Sequence, residues 1–255
     1  MKFKGESIMK KMVLLALCFI LAAVTLTGCY TVNVPGMWRR RVVGRGAPET
    51  YEINVGDFTE VRVELLCDII YSSAPSGSVT LEIQPNLMRH VSVKESGGVL
   101  TVRAARNIHW SGKTWVPVLY ISTPSLSKVS HVGAGSFKTV DPIVADSFSL
   151  NITGAANSTA MLDVDRLSVN LAGAGNIELS GRADDANIDI AGTGRLDALD
   201  LETRYSMINI AGVGTVRINC IEKLRIVAGG LGTVEYTGSP LLDVSRGGLV
   251  TLRSV

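Results

Sequence analysis

The chain has 255 residues, 46% hydrophobic and 19% charged, with 26 glycines and only 5% aromatics. This length supports one sizeable domain or two small ones. The formal net charge of +2 excludes the strongly basic surface that nucleic-acid binding requires.

Residues 1–28 read as an export signal, to be set aside before any fold argument. Lys10 and Lys11 precede an apolar run from Met12 to about Val24, which closes with small residues at a cysteine. A basic start, a short apolar centre and a small-residue cleavage site mark a secretory signal. The centre is also too short for the ~20 residues of a membrane span. Met1 and Met9 are both open as the start. Leu26-Thr27-Gly28-Cys29 resembles the lipobox of bacterial lipoproteins, with an ordinary signal peptide as the alternative. The resemblance implies cleavage before Cys29 and acylation there, palmitate included, so that the chain is held at the membrane by its lipid. Tyr30 rather than Asp after the cysteine implies the outer membrane, with the periplasmic or the surface side left open.

Removing 1–28 takes four lysines and one glutamate, so 25 basic and 23 acidic residues become 21 and 22 and the balance turns to −1. Cys67 and Cys220 then remain besides Cys29. They either pair in an oxidising compartment or stand as two buried thiols. Residues 29–48 read as the lipidated cysteine and a tether, broken by Pro35, Gly36, Gly44, Gly46 and Pro48. The cluster Trp38-Arg39-Arg40-Arg41 is either a solvated linker or a contact to anionic head groups, at about 1 kcal/mol per charge.

Residues 49–125 read as a strand-rich N-terminal lobe. Glu60–Leu65, Val79–Ile83 and Val99–Arg103 alternate apolar and polar with period two. Ser76-Gly77-Ser78 and Ser96-Gly97-Gly98 mark turns. Trp115 to Ile121 reads as a further strand, stopped at Thr123-Pro124-Ser125. Sustained helical stripes are missing from residues 49–255, so the fold class is all-β.

Residues 126–255 repeat. The glycines Gly133, Gly154, Gly173, Gly192, Gly212, Gly230 and Gly248 recur at spacings of 21, 19, 19, 20, 18 and 18, the mark of a solenoid. A second glycine often follows: Gly135, Gly175, Gly194, Gly214 and Gly232. Four residues before the first glycine stand Val129, Leu150, Val169, Ile188, Ile208 and Ile226. Two before it stand His131, Ile152, Leu171, Ile190, Ile210 and Ala228. Four after it stand Phe137, Ser158, Ile177, Leu196, Val216, Val234 and Leu252, whereas five after it come Lys138, Thr159, Glu178, Asp197, Arg217, Glu235 and Arg253. Strand residues alternate sides, so the apolar columns point in and the charged column out. The expected architecture is a single-chain β-helix-like solenoid of about 20 residues per coil with Gly-x-Gly corners. The glycines are structural turn residues that allow positive φ or close backbone approach. Asn151, Asn170 and Asn209, with Asp189 between them, predict a side-chain ladder on one face. His131 falls in the inward column of the first coil and reads as a coil-end residue near the boundary between the lobes.

The order of features matters more than any one of them. The lipobox, the tether, Phe58-Thr59-Glu60-Val61-Arg62-Val63, Gly98-Val99-Leu100-Thr101-Val102, Thr123-Pro124-Ser125-Leu126 and His131-Val132-Gly133-Ala134-Gly135 with its repeats resemble the auto-transporter adhesin head GIN domain family. The resemblance covers residues 49–255 as one unit. It implies a β-helix-like superhelix, distantly similar to pectin-lyase-type folds without their catalytic residues, and a role in cell adhesion. Gly154-Ala155-Ala156 departs from the pattern, because the second glycine is missing.

Chemistry is thinly supplied. A dinucleotide loop needs a helix after its glycines, and here another strand follows. The repeat length is wrong for a calcium-binding nonapeptide, and no cofactor or metal is implied. His90, His109 and His131 lack metal-ligand spacing. Asp163, Asp165, Asp184 and Asp185 are placed in exposed loops and could form a carboxylate groove; a solvated charge cluster is the plain alternative. The preferred reading is a non-enzymatic envelope lipoprotein, adhesin-like, presenting a rigid β-helical face to a glycan or a protein, with homo-oligomers left open. The alternatives are a polysaccharide-acting enzyme on this scaffold and an accessory of envelope sensing or assembly.

Overall fold

The computed structural model describes residues 40–75, 77–105, 108–110 and 115–255. The export signal and Cys29 lie outside these described residues. Residues Arg40–Val255 form one compact unit. Its strands begin with β1 (Arg40–Val42), β2 (Glu49–Glu52), β3 (Glu60–Glu64), β4 (Cys67–Ser72) and β5 (Ser78–Ile83). After the single helical turn α1 (Pro85–Met88) come β6 (Val91–Ser96), β7 (Val99–Ala104), β8 (Ile108–Trp110) and β9 (Val118–Ser122). The repetitive part supplies β10 (Lys128–Thr139), β11 (Ile143–Ile190), β12 (Thr193–Ile210), β13 (Val213–Ala228), β14 (Leu231–Thr237), β15 (Leu241–Arg246) and β16 (Leu249–Ser254). The fold is all-β. Among the described residues no helix is long and apolar enough to cross a membrane.

The repeats wind as a β-solenoid of parallel coils. Val129 pairs with Leu150 and His131 with Ile152. Ile188 pairs with Ile208, which in turn pairs with Ile226. Phe137 lies over Ile69, and Leu196, Val216, Val234 and Leu252 continue in register. The strand columns therefore stack as the spacing predicts, and all but the last coil's members are buried. Gly154-Ala155-Ala156 keeps the shared corner, with Ala156 in register with Gly135.

The stack starts earlier than the glycine period suggests. Beneath β10 run β3 and β4, parallel and in register, with Val61 under Val129 and Val63 under His131. Beneath these run β7 and β9, also parallel. Antiparallel strands finish this end: β6 on β7, β5 on β9 and β2 on β5. Residues 49–125 and 126–255 thus share one sheet. His131, read as a coil-end residue near the lobe boundary, does lie inward there, but with two layers of strands below it rather than a coil end. Leu65 takes the corner that glycine holds elsewhere, since a Cβ on Gly133 would meet the Leu65 carbonyl oxygen at 2.8 Å. A corner without glycine leaves no mark in the spacing. The part of the tether that is described is also ordered: β1 pairs with β8 in parallel.

Glycine at the corner serves two physical needs. Gly154 has φ 124°, a conformation that side-chain-bearing residues rarely adopt. Gly212 lacks such a φ, but a Cβ there would overlap the carbonyl oxygen of Gly192 directly below. Small residues let the coils approach to the ~4.8 Å of paired strands.

Side-chain ladders lock the outer register. Asn170 Nδ2 donates to Asn151 Oδ1 at 2.8 Å, and Asn209 Nδ2 donates to Asp189 Oδ1 at 2.6 Å. Asn176 donates from both its backbone and its side chain to Asn157 Oδ1. Cys67 and Cys220 are free and buried. Cys67 sits under the first repeat and Cys220 several coils further on, so at ~4.8 Å per coil they cannot reach the ~4.4–6.8 Å that a disulfide needs. Burial pushes the Cys67 thiol up to about 12, which suppresses thiolate. Maleimide should therefore leave both residues unmodified in native protein and label both in denaturant, as read by peptide mass spectrometry.

Candidate functional site

The solenoid offers three outward surfaces, and they differ in how fully their charges satisfy one another. Beyond the glycine corner the charged column forms an ion-pair ladder. Asp197 accepts from Arg217 Nη1 at 2.6 Å and meets Arg195 at 3.5 Å, and Arg217 Nε donates to Glu235 at 3.1 Å. Asp197, Arg217 and Glu235 thus satisfy one another, which stiffens this stretch of the face. The corner itself forms a trough of about 560 Å³ floored by Gly175, Gly194, Gly214 and Gly232. Its wall carries Val213, Leu231 and Leu249, in register and exposed.

The predicted carboxylates stand on the long strand β11, not on loops. The strand persists because each coil donates and accepts backbone hydrogen bonds on both sides, even where the chain bends. At one corner of the coil two consecutive residues point outward: Asp165-Arg166, Asp184-Asp185, Arg204-Tyr205 and Glu222-Lys223. That corner parts the cluster. Asp184 lines a crevice of about 250 Å³ with Arg182, Arg204 and Glu222, and Arg182 Nη2 donates to it at 2.8 Å. The Asp163 charge acts on the same Arg182, whose pKa is raised first by its hydrogen bond to Asp184. Asp185 lines the neighbouring face instead. None of the four is buried, and burial is what holds a carboxyl protonated for acid catalysis.

Asp185 belongs to a groove of about 640 Å³, within the range of ligand sites. Three coils build its centre in register, and Arg166 and Leu167 of the preceding coil extend it. Asp185 pairs with Tyr205 and Tyr205 with Lys223; one step along, Asn187 pairs with Met207 and Met207 with Arg225. Carboxylate and amide stand on one coil, ring and thioether on the next, and two cations on the third. Tyr205 and Met207 are 40% and 37% exposed and lie side by side in this groove. Their inward neighbours Ser206, Ile208 and Ile210 are buried, which holds the outward residues in place.

The tyrosine ring is clamped. Arg204 lies 5.4 Å from its centroid and donates through Nε to Glu222 Oε1 at 2.7 Å. The neighbouring Tyr205 hydroxyl lowers the Glu222 pKa, Arg204 adding to the effect, and Glu222 in turn raises that of Tyr205. Both shifts favour a charged Glu222 and a protonated hydroxyl at neutral pH, so the clamp persists there. Further along the groove Asp189 is occupied, accepting from Asn209 and, at 3.1 Å, from Asn187. Arg225 reaches Asp243 only at 3.8 Å between exposed side chains. Among the described residues Arg166 and Lys223 have no ion partner. This face therefore carries unmatched charge beside an aromatic ring.

The family described as putative auto-transporter adhesin, head GIN domain, matches residues 57–240. The chain belongs to that family. Solved structures share the head GIN domain's architecture. A putative adhesin of Bacteroides fragilis superposes with a TM-score of 0.79 at 20% identity, covering 84% of this chain and 100% of its own. A putative adhesin of Parabacteroides merdae gives 0.66 at 22% identity, over 84% and 99%. A protein of Parabacteroides distasonis described as a putative lipid binding protein gives 0.67 at 24%, over 85% and 100%. At these identities the likeness is one of fold. No protein with a curated description matches the chain.

Periodicity singled out the head GIN domain's corner glycines but missed the Tyr205 groove. Its signal was present as a polar doublet recurring once per coil, Asp184-Asp185, Arg204-Tyr205 and Glu222-Lys223. Each doublet breaks the alternation and aligns only when the coils are stacked.

Proposed function

We propose that this chain is a non-enzymatic, adhesin-like protein of the cell envelope, lipid-anchored at Cys29 in the outer membrane, that presents its rigid solenoid face to a glycan or protein ligand. The observation that carries this reading is the Tyr205 groove, where exposed apolar side chains and unmatched charge share one register-locked surface. Membership in a family described as adhesins supports the binding role. The parted, solvated carboxylates support a binding surface over a hydrolase: a general acid and its partner have to face one scissile bond.

The reading predicts that the chain from residue 30 binds glycans or matrix proteins on arrays, and that protease reaches the lipoprotein on whole cells. Absence of binding together with full protection would sink it. The anchor is checked separately. Cys29→Ser should abolish incorporation of labelled palmitate and move the chain from the membrane to the soluble fraction, and an unchanged distribution would exclude lipidation there.

A further inference from the structure

We infer that the Tyr205 groove is a binding site for a uronate-bearing oligosaccharide. This deepens the adhesin reading and rests on it. Three coils set out the chemistry of such a sugar in order. Asp185 and Asn187 offer acceptors, and Asn187 a donor, for ring hydroxyls; Tyr205 and Met207 offer an apolar surface for the C–H face of a pyranose; Lys223 and Arg225 offer cations for a carboxylate. Two strand spacings of ~4.8 Å separate the first coil from the third, about the length of a disaccharide. Arg166 adds a second unmatched cation beyond Asp185, so a longer acidic chain would meet charge at both ends of the groove.

The ring is already fixed for stacking. Arg204 lies over the ring on one side and is itself held by Glu222, so less side-chain freedom is lost when a sugar settles on the ring. A neutral sugar would leave Lys223 and Arg166 unanswered. An acidic peptide fits less well, because the coil backbones here are hydrogen-bonded to coils on both sides. They cannot add a strand, which is the usual way an extended peptide gains affinity from a sheet.

The test is calorimetric titration of the full chain in mild detergent with trigalacturonate and a hyaluronan tetrasaccharide, against maltotriose and triglutamate. Binding of at least one of the two uronates is expected, with maltotriose and triglutamate at least 10-fold weaker. Tyr205→Ala should weaken uronate binding at least 10-fold, and Lys223→Ala should weaken it and flatten its dependence on salt. Both positions are exposed, so melting temperatures should stay within a few degrees of the parent. No binding of either uronate, equal binding of maltotriose or triglutamate, or full affinity in both variants would overturn the assignment. If the uronates fail while array ligands bind elsewhere on the chain, the sugar assignment falls and the adhesin reading stands. If the arrays are blank as well, both fall.

Discussion

Gly212→Ala will destabilise the protein by about 3 kcal/mol or more, whereas Gly229→Ala will cost nothing measurable. The added Cβ at Gly212 overlaps the backbone carbonyl of Gly192. That oxygen cannot swing aside like the end of a side chain, because the residues around it pair with the coils on both sides. Relief would require the coils to separate locally, and strain of this type lies at the upper end of the overpacking range. At Gly229 the same atom meets nothing within 4 Å, and the loss of unfolded-state freedom even favours alanine slightly. Urea denaturation of the two variants decides the matter. Because solenoid stability is summed over neighbouring coils, hydrogen exchange in Gly212→Ala should show residues 213–255 opening before the base of the stack.

His131→Leu will stabilise the protein and remove part of its acid sensitivity. Every equivalent position from Ile152 to Ala228 is apolar, yet His131 is 1% exposed and neither ring nitrogen has a hydrogen-bond partner. Leaving buried donors and acceptors unpaired costs about 1–3 kcal/mol, and leucine of similar bulk removes that cost. Burial pushes the imidazole pKa down, with the Leu65 and Ala134 main chain and the Asp68 charge acting weakly the other way. The native state thus stays neutral below pH ~6.5, where an unfolded histidine takes up a proton. Stability is therefore full above that pH and falls as the solution is acidified toward the folded pKa, by at most about 1.4 kcal/mol per pH unit. The difference in unfolding free energy between parent and variant should grow as pH drops from 7 to 5. A constant difference would mean that the native and unfolded imidazoles titrate together, so that burial does not shift the group.

Much of this fold was legible because coils repeat. Glycine spacing placed the corners, and alternation around them placed Leu171, Ile177 and Leu179 inward with Asn170 and Glu178 outward, as observed. Legibility failed where the repeat was masked. Leu65 stands where a glycine would have announced the lowest β10-like corner, and the antiparallel strands β5 and β6 separate β3 and β4 from the coil they support. The candidate site was hidden for a different reason. Asp185, Tyr205 and Lys223 are each about one coil apart in sequence, and no one of them carries a motif. They become a surface only through stacking. The carboxylates were visible as residues, but the corner that parts Asp184 from Asp185 belongs to the coil's path, which composition does not encode.

The coils are not all the same length, and their register shifts fall in one place. Pairing slips between Glu178 and Ser180, between Ala198 and Glu202 and between Thr203 and Tyr205, whereas the glycine corner and the strand leading into it stay aligned throughout. One edge of the molecule therefore absorbs insertions and deletions, while the opposite edge permits change only by whole coils. A lineage can lengthen, shorten or recharge the yielding edge beside the Tyr205 face without disturbing the stack. Tolerance to changes in length is thereby confined to one side of the protein.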